Sequence, residues 1–256
     1  MTWPSSLDIA RGLAPGCVGS FRYGRHTTVD STYTPITQSG FYRTPQATAA
    51  VALRVKAGGN ANDTASGSGA REITLVGLNP SGDVITETLA TAGASASNAT
   101  VQSFIRLTDA FVSKSGTYAS QTAGSQAGSI TIEKSTGSEN WALIAAGTIS
   151  RSVSEIGAYT TPNNKSACVT DIHVTSDADK KANIVMFKRQ NILQTSAPYS
   201  ALELVFELPQ SFGLSDFHFD PPLYFPSLCD FGFMANVSAS TVDISVGFGM
   251  MEFTAR

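Results

Sequence analysis

Five apolar side chains near the end of the chain, Val242, Ile244, Val246, Phe248 and Met250, alternate with Thr241, Asp243, Ser245, Gly247 and Gly249. A strand sends successive side chains to opposite faces, so this pattern fits a strand that is dry on one face and wet on the other. At about 3.3 Å per residue, positions 241–253 would extend roughly 40 Å, about twice the usual length, with the two glycines as the place to bend. Burial of the five apolar side chains would contribute on the order of 10 kcal/mol before the entropy of ordering is subtracted. Such a strand needs a second layer over its dry face, and the expected frame is a sandwich of two sheets that it closes.

The rest of the chain agrees with that frame. Only 14% of the 256 residues are charged, small and hydroxylated residues abound, and no long stretch has helical periodicity, which points to an all-β chain of many short strands and turns. The length has room for two domains with their own cores. A net charge of −3 offers no electrostatic footprint for nucleic acid or an anionic membrane. Cys17, Cys168 and Cys229 are odd in number, far apart and free of Cys-x-x-Cys spacing, so neither a disulfide framework nor a zinc site is expected. The first residues lack the basic-then-apolar order of a signal peptide, and no apolar run is long enough to span a bilayer, so the expectation is synthesis in a cytoplasm as a soluble protein. The glycosylation sequons at Asn62, Asn98 and Asn236 then count as chance.

Residues 1–42 show no useful periodicity and are punctuated by Gly and Pro, yet they carry several aromatic rings. A tail left in solvent seldom does so. The segment is expected to be an N-terminal arm lying across another surface, with Trp3, Phe21, Arg22, Tyr23, Arg25 and Tyr33 as its docking residues. The interleaving of basic and aromatic residues over 21–26 also suits base stacking, but three nearby positive charges are too few for a nucleic-acid groove.

Two series of strands follow, read as a first β-sandwich domain at 43–138 and a second, jelly-roll-like one at 139–256. In the first, Val51, Leu53 and Val55 alternate with polar neighbours. The clearest hairpin runs through 72–78 and 84–89 around Asn79-Pro-Ser-Gly-Asp83, where Pro80 presets a turn dihedral and Gly82 accepts positive φ. Further strands are expected at 101–107, 110–115 and 129–133. The Gly- and Ser-containing stretch 136–140 is taken as the boundary. Beyond it, strands are expected at 149–159 and 182–189; Cys168, Thr170, Ile172 and Val174 are expected to share a face. Leu202, Leu204, Phe206 and Leu208 form one row and Cys229, Phe231, Phe233 and Ala235 another.

The most suggestive constellation is Asp216-Phe-His218-Phe-Asp220, in which period two sends both carboxylates and the imidazole to one face and the two Phe rings to the other. Hard or borderline divalent metals use such groups, but i and i+2 side chains stand about 6.6 Å apart on a straight strand, which favours a solvated face over a buried Phe pair. Glu203 and Glu207 would lie about 13 Å apart along a strand, beyond the roughly 5 to 9.5 Å of glycosidase carboxylate pairs. Asp171, Asp177 and Asp179 lack the ligand spacing of a calcium loop. His26 has Asp30 nearby and His173 has Asp171, but neither has a nucleophile placed for a triad, and Cys168 and His173 should point to opposite faces. No nucleophile elbow, phosphate loop or dinucleotide fingerprint occurs. No catalytic residue, metal or cofactor is expected.

The order and spacing of several segments resemble a family of accessory virion structural proteins, of head-decoration or short-fibre type, from tailed, podovirus-like marine bacteriophages. The segments are Gly19-Ser-Phe-Arg-Tyr-Gly-Arg-His-Thr-Thr-Val-Asp30, Ile73-Thr-Leu-Val-Gly-Leu-Asn-Pro-Ser-Gly-Asp83 with Glu87, Phe104-Ile-Arg106, Gly128-Ser-Ile-Thr-Ile132, the turn over 159–165, and Pro221-Pro-Leu-Tyr-Phe-Pro226. Together they span nearly the whole chain, although each is structural and unspecific alone. Relatives often carry a Trp near the place where this chain reads Thr37-Gln-Ser-Gly40. The resemblance implies a non-enzymatic particle component, located in the virion, that touches capsid, portal or tail proteins, with a homo-oligomer, preferably a trimer, as its state. Neither nucleic acid nor membrane is an expected partner. The alternative is a glycan-binding receptor-recognition module of a tail or fibre, with Tyr199 or Tyr224 as stacking platforms and a host surface glycan as partner. A polysaccharide hydrolase using the 216–220 carboxylates is the third reading.

Overall fold

The computed structural model describes residues 5–42, 50–120, 123–147, 151–177, 180–238 and 241–254. Trp3 and Asp179 lie outside them. The chain forms two compact units: Met1–Ile36 with Gly157–Gln194 and Pro198–Arg256, and Thr37–Ile156 with Thr195–Ala197. A five-residue helix, α1 (Ser6–Ala10), opens the first unit, capped by Ser5 and Asp8, each side chain bonding the other's backbone N–H. Strands β1 (Cys17–Val29) and β2 (Thr34–Pro35) follow. The chain then builds the second unit from β3 (Leu53–Val55), β4 (Ala70–Leu78), β5 (Val84–Ala90), β6 (Arg106–Ser115), β7 (Ile130–Lys134) and β8 (Asn140–Ile144). It completes the first with β9 (Ala158–Thr160), β10 (Lys165–Ser176), β11 (Ala182–Arg189), β12 (Glu203–Ser211), β13 (Gly213–Phe225), β14 (Asp230–Val237) and β15 (Val242–Thr254).

The first unit has two antiparallel sheets, ordered β1-β15-β10-β13 and β12-β11-β14-β2, with β9 also paired to β14. Setting the short β9 aside, the eight strands pair first with eighth, second with seventh, third with sixth and fourth with fifth. One long hairpin rolled into two layers gives that set of pairs, and the arrangement is a jelly roll. β15 sits inside its sheet between β1 and β10, and its inward row Val242, Ile244, Val246, Phe248 and Met250 is buried, as its alternation predicts. Across the core, Phe231 stacks on Phe225 with centroids 4.0 Å apart, while Phe231 and Phe233 approach Phe248 at 6.0 and 5.6 Å.

The expected arm over 1–42 is corrected by this topology, because residues 17–29 pair along their length with β15. β1 escaped the periodicity test for a physical reason. It is an edge strand whose first half is largely exposed, and the inward positions of its second half hold Arg22, Gly24 and His26 instead of aliphatic side chains. Gly24 has no room for anything larger: an added Cβ would overlap the backbone of Gly157 and the carbonyl of Ile36.

The second unit holds two three-stranded antiparallel sheets, β3-β7-β8 and β5-β4-β6, which bury Leu53, Ile73, Leu75, Phe104, Ile132 and Trp141. The β4–β5 turn is as expected: Gly82 has φ 80°, and Asn79 Oδ1 accepts the N–H groups of Ser81 and Asp83 at 2.8 and 3.0 Å. β6 takes in the strand expected at 110–115 and only the last two residues of the one expected at 101–107, whose Phe104 makes an isolated bridge to Val51. The boundary placed at 136–140 is a hairpin turn, since β7 and β8 pair across it, and this unit runs on to Ile156. A Gly- and Ser-rich hairpin turn and a linker have the same composition, so only pairing separates them. Asp63, almost fully buried, anchors the Gly-rich loop before β4 by accepting the N–H groups of Ala70, Ala127 and Gly128 at 2.7, 2.8 and 2.9 Å.

Candidate functional site

The densest arrangement of chemistry-bearing side chains lies on the outer face of the β1-β15-β10-β13 sheet. Register places His173 of β10 between Gly247 of β15 and Asp216 of β13, and Asp171 between Gly249 and His218. His173 Nδ1 is 2.7 Å from Asp216 Oδ1, and Nε2 is 3.2 Å from Asp171 Oδ2. Asp171 also accepts the Gly249 N–H at 3.2 Å and the Thr170 hydroxyl at 2.7 Å. A neutral imidazole has a single N–H, so only the imidazolium donates to both carboxylates. Accordingly the hydrogen bond to Asp216, reinforced by the charges of Asp216 and Asp171, raises the His173 pKa above the ordinary imidazole value against a smaller opposing effect of burial.

A bulge in β10 between Val169 and Asp171 makes this cluster. Ala167 and Val169 before it and Ile172 and Val174 after it are all buried, so the parity of the strand changes at the bulge. Two expectations fall with it. Cys168 and Thr170 do not share a face with Ile172 and Val174, and Cys168 points to the same outer side as His173. The Cys168 thiol is pushed up in pKa by burial, with Cys17 adding to the shift.

The docking residues expected on the arm are distributed by β1. Phe21, Tyr23 and Arg25 project from the outer face. Phe21, 59% exposed, lies down over Gly247, where any Cβ would overlap its ring, and stands 6.1 Å from the His173 ring at 40°. Arg25 pairs with Asp243 through Nε at 2.9 Å and through Nη2. Arg22 turns inward, its guanidinium 4.7 Å above the Tyr159 ring. Tyr159 donates to Glu252 Oε2 at 2.6 Å; burial, then that bond, push its phenol pKa up. Tyr33 is exposed in the β1–β2 loop, away from the sheet face.

Asp216, His218 and Asp220 alternate outward while Phe217 and Phe219 pack inward against Phe206 at 5.0 and 5.7 Å, as period two requires. The partners that give Asp216 its setting, Asp171 and His173, come from the neighbouring strand, and only register reveals them. Among the described residues no group of three or more His, Cys, Asp or Glu side chains is arranged to hold a metal ion. Glu203 pairs with Lys188 at 3.0 Å. Of the two expected stacking platforms, Tyr224 shares a hydrogen bond with Ser166 at 3.1 Å and lies 6.3 Å from Phe253, and Tyr199 is exposed in the loop before β12. In the second unit a small cleft is bounded by Lys56, Asp63, Thr91, Thr131 and the backbone of Gly58 and Gly93, and its carboxylate already accepts three loop N–H groups.

No family model and no curated protein matches the chain. Among solved structures, the T13 IBDV viral particle gives a TM-score of 0.23 at 8% identity, covering 96% of this chain and 77% of that one. The infectious bursal disease virus VP2 subviral particle gives 0.21 at 9%, covering 93% and 76%. An isomalto-dextranase of Arthrobacter globiformis T6 complexed with panose gives 0.23 at 8%, covering 91% of this chain and 35% of that one. Scores this low carry no functional inference. No helix among the described residues is long and apolar enough to cross a membrane.

Proposed function

We propose that the chain is a structural component of a bacteriophage particle, a capsid decoration or head/neck fibre subunit that works as a homo-oligomer and catalyses nothing. The observation that carries this reading is the open side of the jelly roll, where edge strands β12 and β13 meet. There Val205, Phe206, Leu208, Phe217, Phe219 and Leu223 pack on the core while remaining only partly buried. The expected single row of Leu202, Leu204, Phe206 and Leu208 is broken by a bulge that sets Leu204 opposite Phe187 and Phe206 opposite Met186, and Leu202 and Leu204 stand 40% and 57% exposed at the start of the same edge strand. A core that runs out to solvent beside an unpaired strand edge is a surface that association covers. A second copy of this chain is the occupant to expect, since most soluble oligomers are symmetric assemblies of one chain. The jelly roll is a fold used by capsid and lectin domains alike, so it is compatible with this role without specifying it. β1 is held in the sheet, so docking through a free arm gives way to docking through the β12–β13 side. Sedimentation of the purified chain tests the oligomer, and mass spectra of purified particles test its place in the virion. A monomer at high micromolar concentration that is missing from particles would overturn the proposal.

A further inference from the structure

We propose that the outer face of the β1-β15-β10-β13 sheet binds a neutral saccharide, stacked on Phe21 and held at its hydroxyls by Asp216, Asp171 and His218. This goes beyond the assembly reading and does not rest on it, since it uses the outer face of the sheet from β1 to β13, whereas the assembly reading uses the apolar side chains of β12 and β13 that pack on the core.

The platform is built. The far end of the Phe21 ring reaches over Gly247, where there is no side chain to lift it, and the residue remains 59% exposed. Tyr23, the next outward residue along β1, is 40% exposed and extends the aromatic strip by about 6.6 Å, two residues of strand rise. Beside the strip, His173 is fixed from both sides by Asp171 and Asp216, and Asp171 is fixed in turn by the Gly249 N–H. These carboxylates keep acceptor lone pairs beyond the bonds they make to the imidazole. A ligand that fits must offer a flat apolar face to the ring and several O–H donors at its rim, which is the chemistry of a pyranose.

Other ligand classes fit less well. Nucleic acid would bring phosphates to a face that carries Asp171, Asp216 and Asp220. A protein partner favours a centre depleted of charge, and here the centre is an ion cluster. An ammonium ligand would suit an aromatic ring with carboxylates, but it would have to compete with the His173 ring already seated between them.

The full-length chain is titrated with neutral oligomers of glucose, galactose and N-acetylglucosamine and with glucosamine oligomers, using saturation-transfer NMR and calorimetry. The expected result is binding of at least one neutral series, weakened roughly tenfold or more by Phe21→Ala and retained by Phe21→Trp. Asp216→Asn, which keeps the shape of the side chain, should also weaken it, while neither variant changes the sedimentation coefficient. No binding of any neutral oligomer at about 10 mM, a level that would detect even millimolar affinity, overturns the proposal. So does binding indifferent to Phe21→Ala, or binding confined to glucosamine and abolished by salt. A parent chain that binds a neutral oligomer through Phe21 yet sediments as a monomer would count against the assembly reading alone.

Discussion

His173 and Asp216, on neighbouring strands, face each other across the sheet with Nδ1 and Oδ1 2.7 Å apart, and the second ring nitrogen is held by Asp171 at 3.2 Å. The groups facing the ring are these two carboxylates, with Phe21 of β1 against it and His218 of β13 opposite Asp171. The folded-state pKa of His173 is therefore raised, and its contribution to stability is fully present below the unfolded value near 6.5 and is lost as pH rises through the folded value. His26 has the opposite sign. Burial lowers its pKa, against the charges of Asp30 and Asp243, and its Nδ1 accepts the Thr28 N–H at 3.1 Å, so its contribution is present above the unfolded value and is lost as pH falls from there through the folded value. NMR titration of the imidazole resonances should give His173 the higher pKa of the two, and Asp216→Asn should lower the His173 value while leaving His26 in place. Equal pKa values for the two rings would refute the clasp.

The glycines on the two central contacts of β1 separate two kinds of crowding. At Gly24 an added methyl meets backbone, that of Gly157 and Ile36, which cannot move without parting strands. At Gly247 it meets the end of the Phe21 ring, which can swing into solvent. Gly24→Ala should destabilise the first unit by about 3 kcal/mol or more, and Gly247→Ala by about 1 kcal/mol or less. Chemical denaturation of both variants, read by the fluorescence of the jelly-roll tyrosines, checks the order.

Asp63 accepts three backbone N–H groups from two separate stretches of the second unit. Asp63→Ala would leave the amides of Ala70, Ala127 and Gly128 without that acceptor in a nearly dry site, at about 1 to 3 kcal/mol for each that water cannot reach. The expected outcome is a loss of several kcal/mol confined to the second unit, with hydrogen exchange accelerated first at Ala70 and Gly128. Protection unchanged at those amides would show that the carboxylate is dispensable.

The fold was legible wherever one face of a strand is dry. The 242–250 alternation, the Asn79–Asp83 turn and the 216–220 alternation all read correctly, because burial forces polarity to follow the period of the strand. β1 was hidden because an edge strand that keeps Arg22, Gly24 and His26 on its inner side has no polarity contrast to read. The outer-face cluster was half legible: His173 with Asp171, and Asp216 with His218, are visible as pairs in the sequence. Their union is not, because it depends on the bulge after Val169 and on a pairing register that no local pattern encodes.

Leu202 and Leu204 decide whether the open side of the jelly roll is an interface. Both stand exposed at the start of the β12 edge, past the bulge that separates Leu204 from the Phe206 and Leu208 row, so replacing them with Asp removes exposed apolar area without excavating the interior. The double variant should therefore unfold within about 1 kcal/mol of the parent yet sediment as a monomer at concentrations where the parent is oligomeric. Phe206→Ala, by contrast, withdraws a ring that meets Phe217 at 5.0 Å and Phe219 at 5.7 Å, and should cost about 3 kcal/mol or more of stability whatever the oligomeric state. A double Asp variant that keeps the mass of the parent would place the interface elsewhere, because two carboxylates buried face to face against a second copy could not stay ionised without a large loss of affinity.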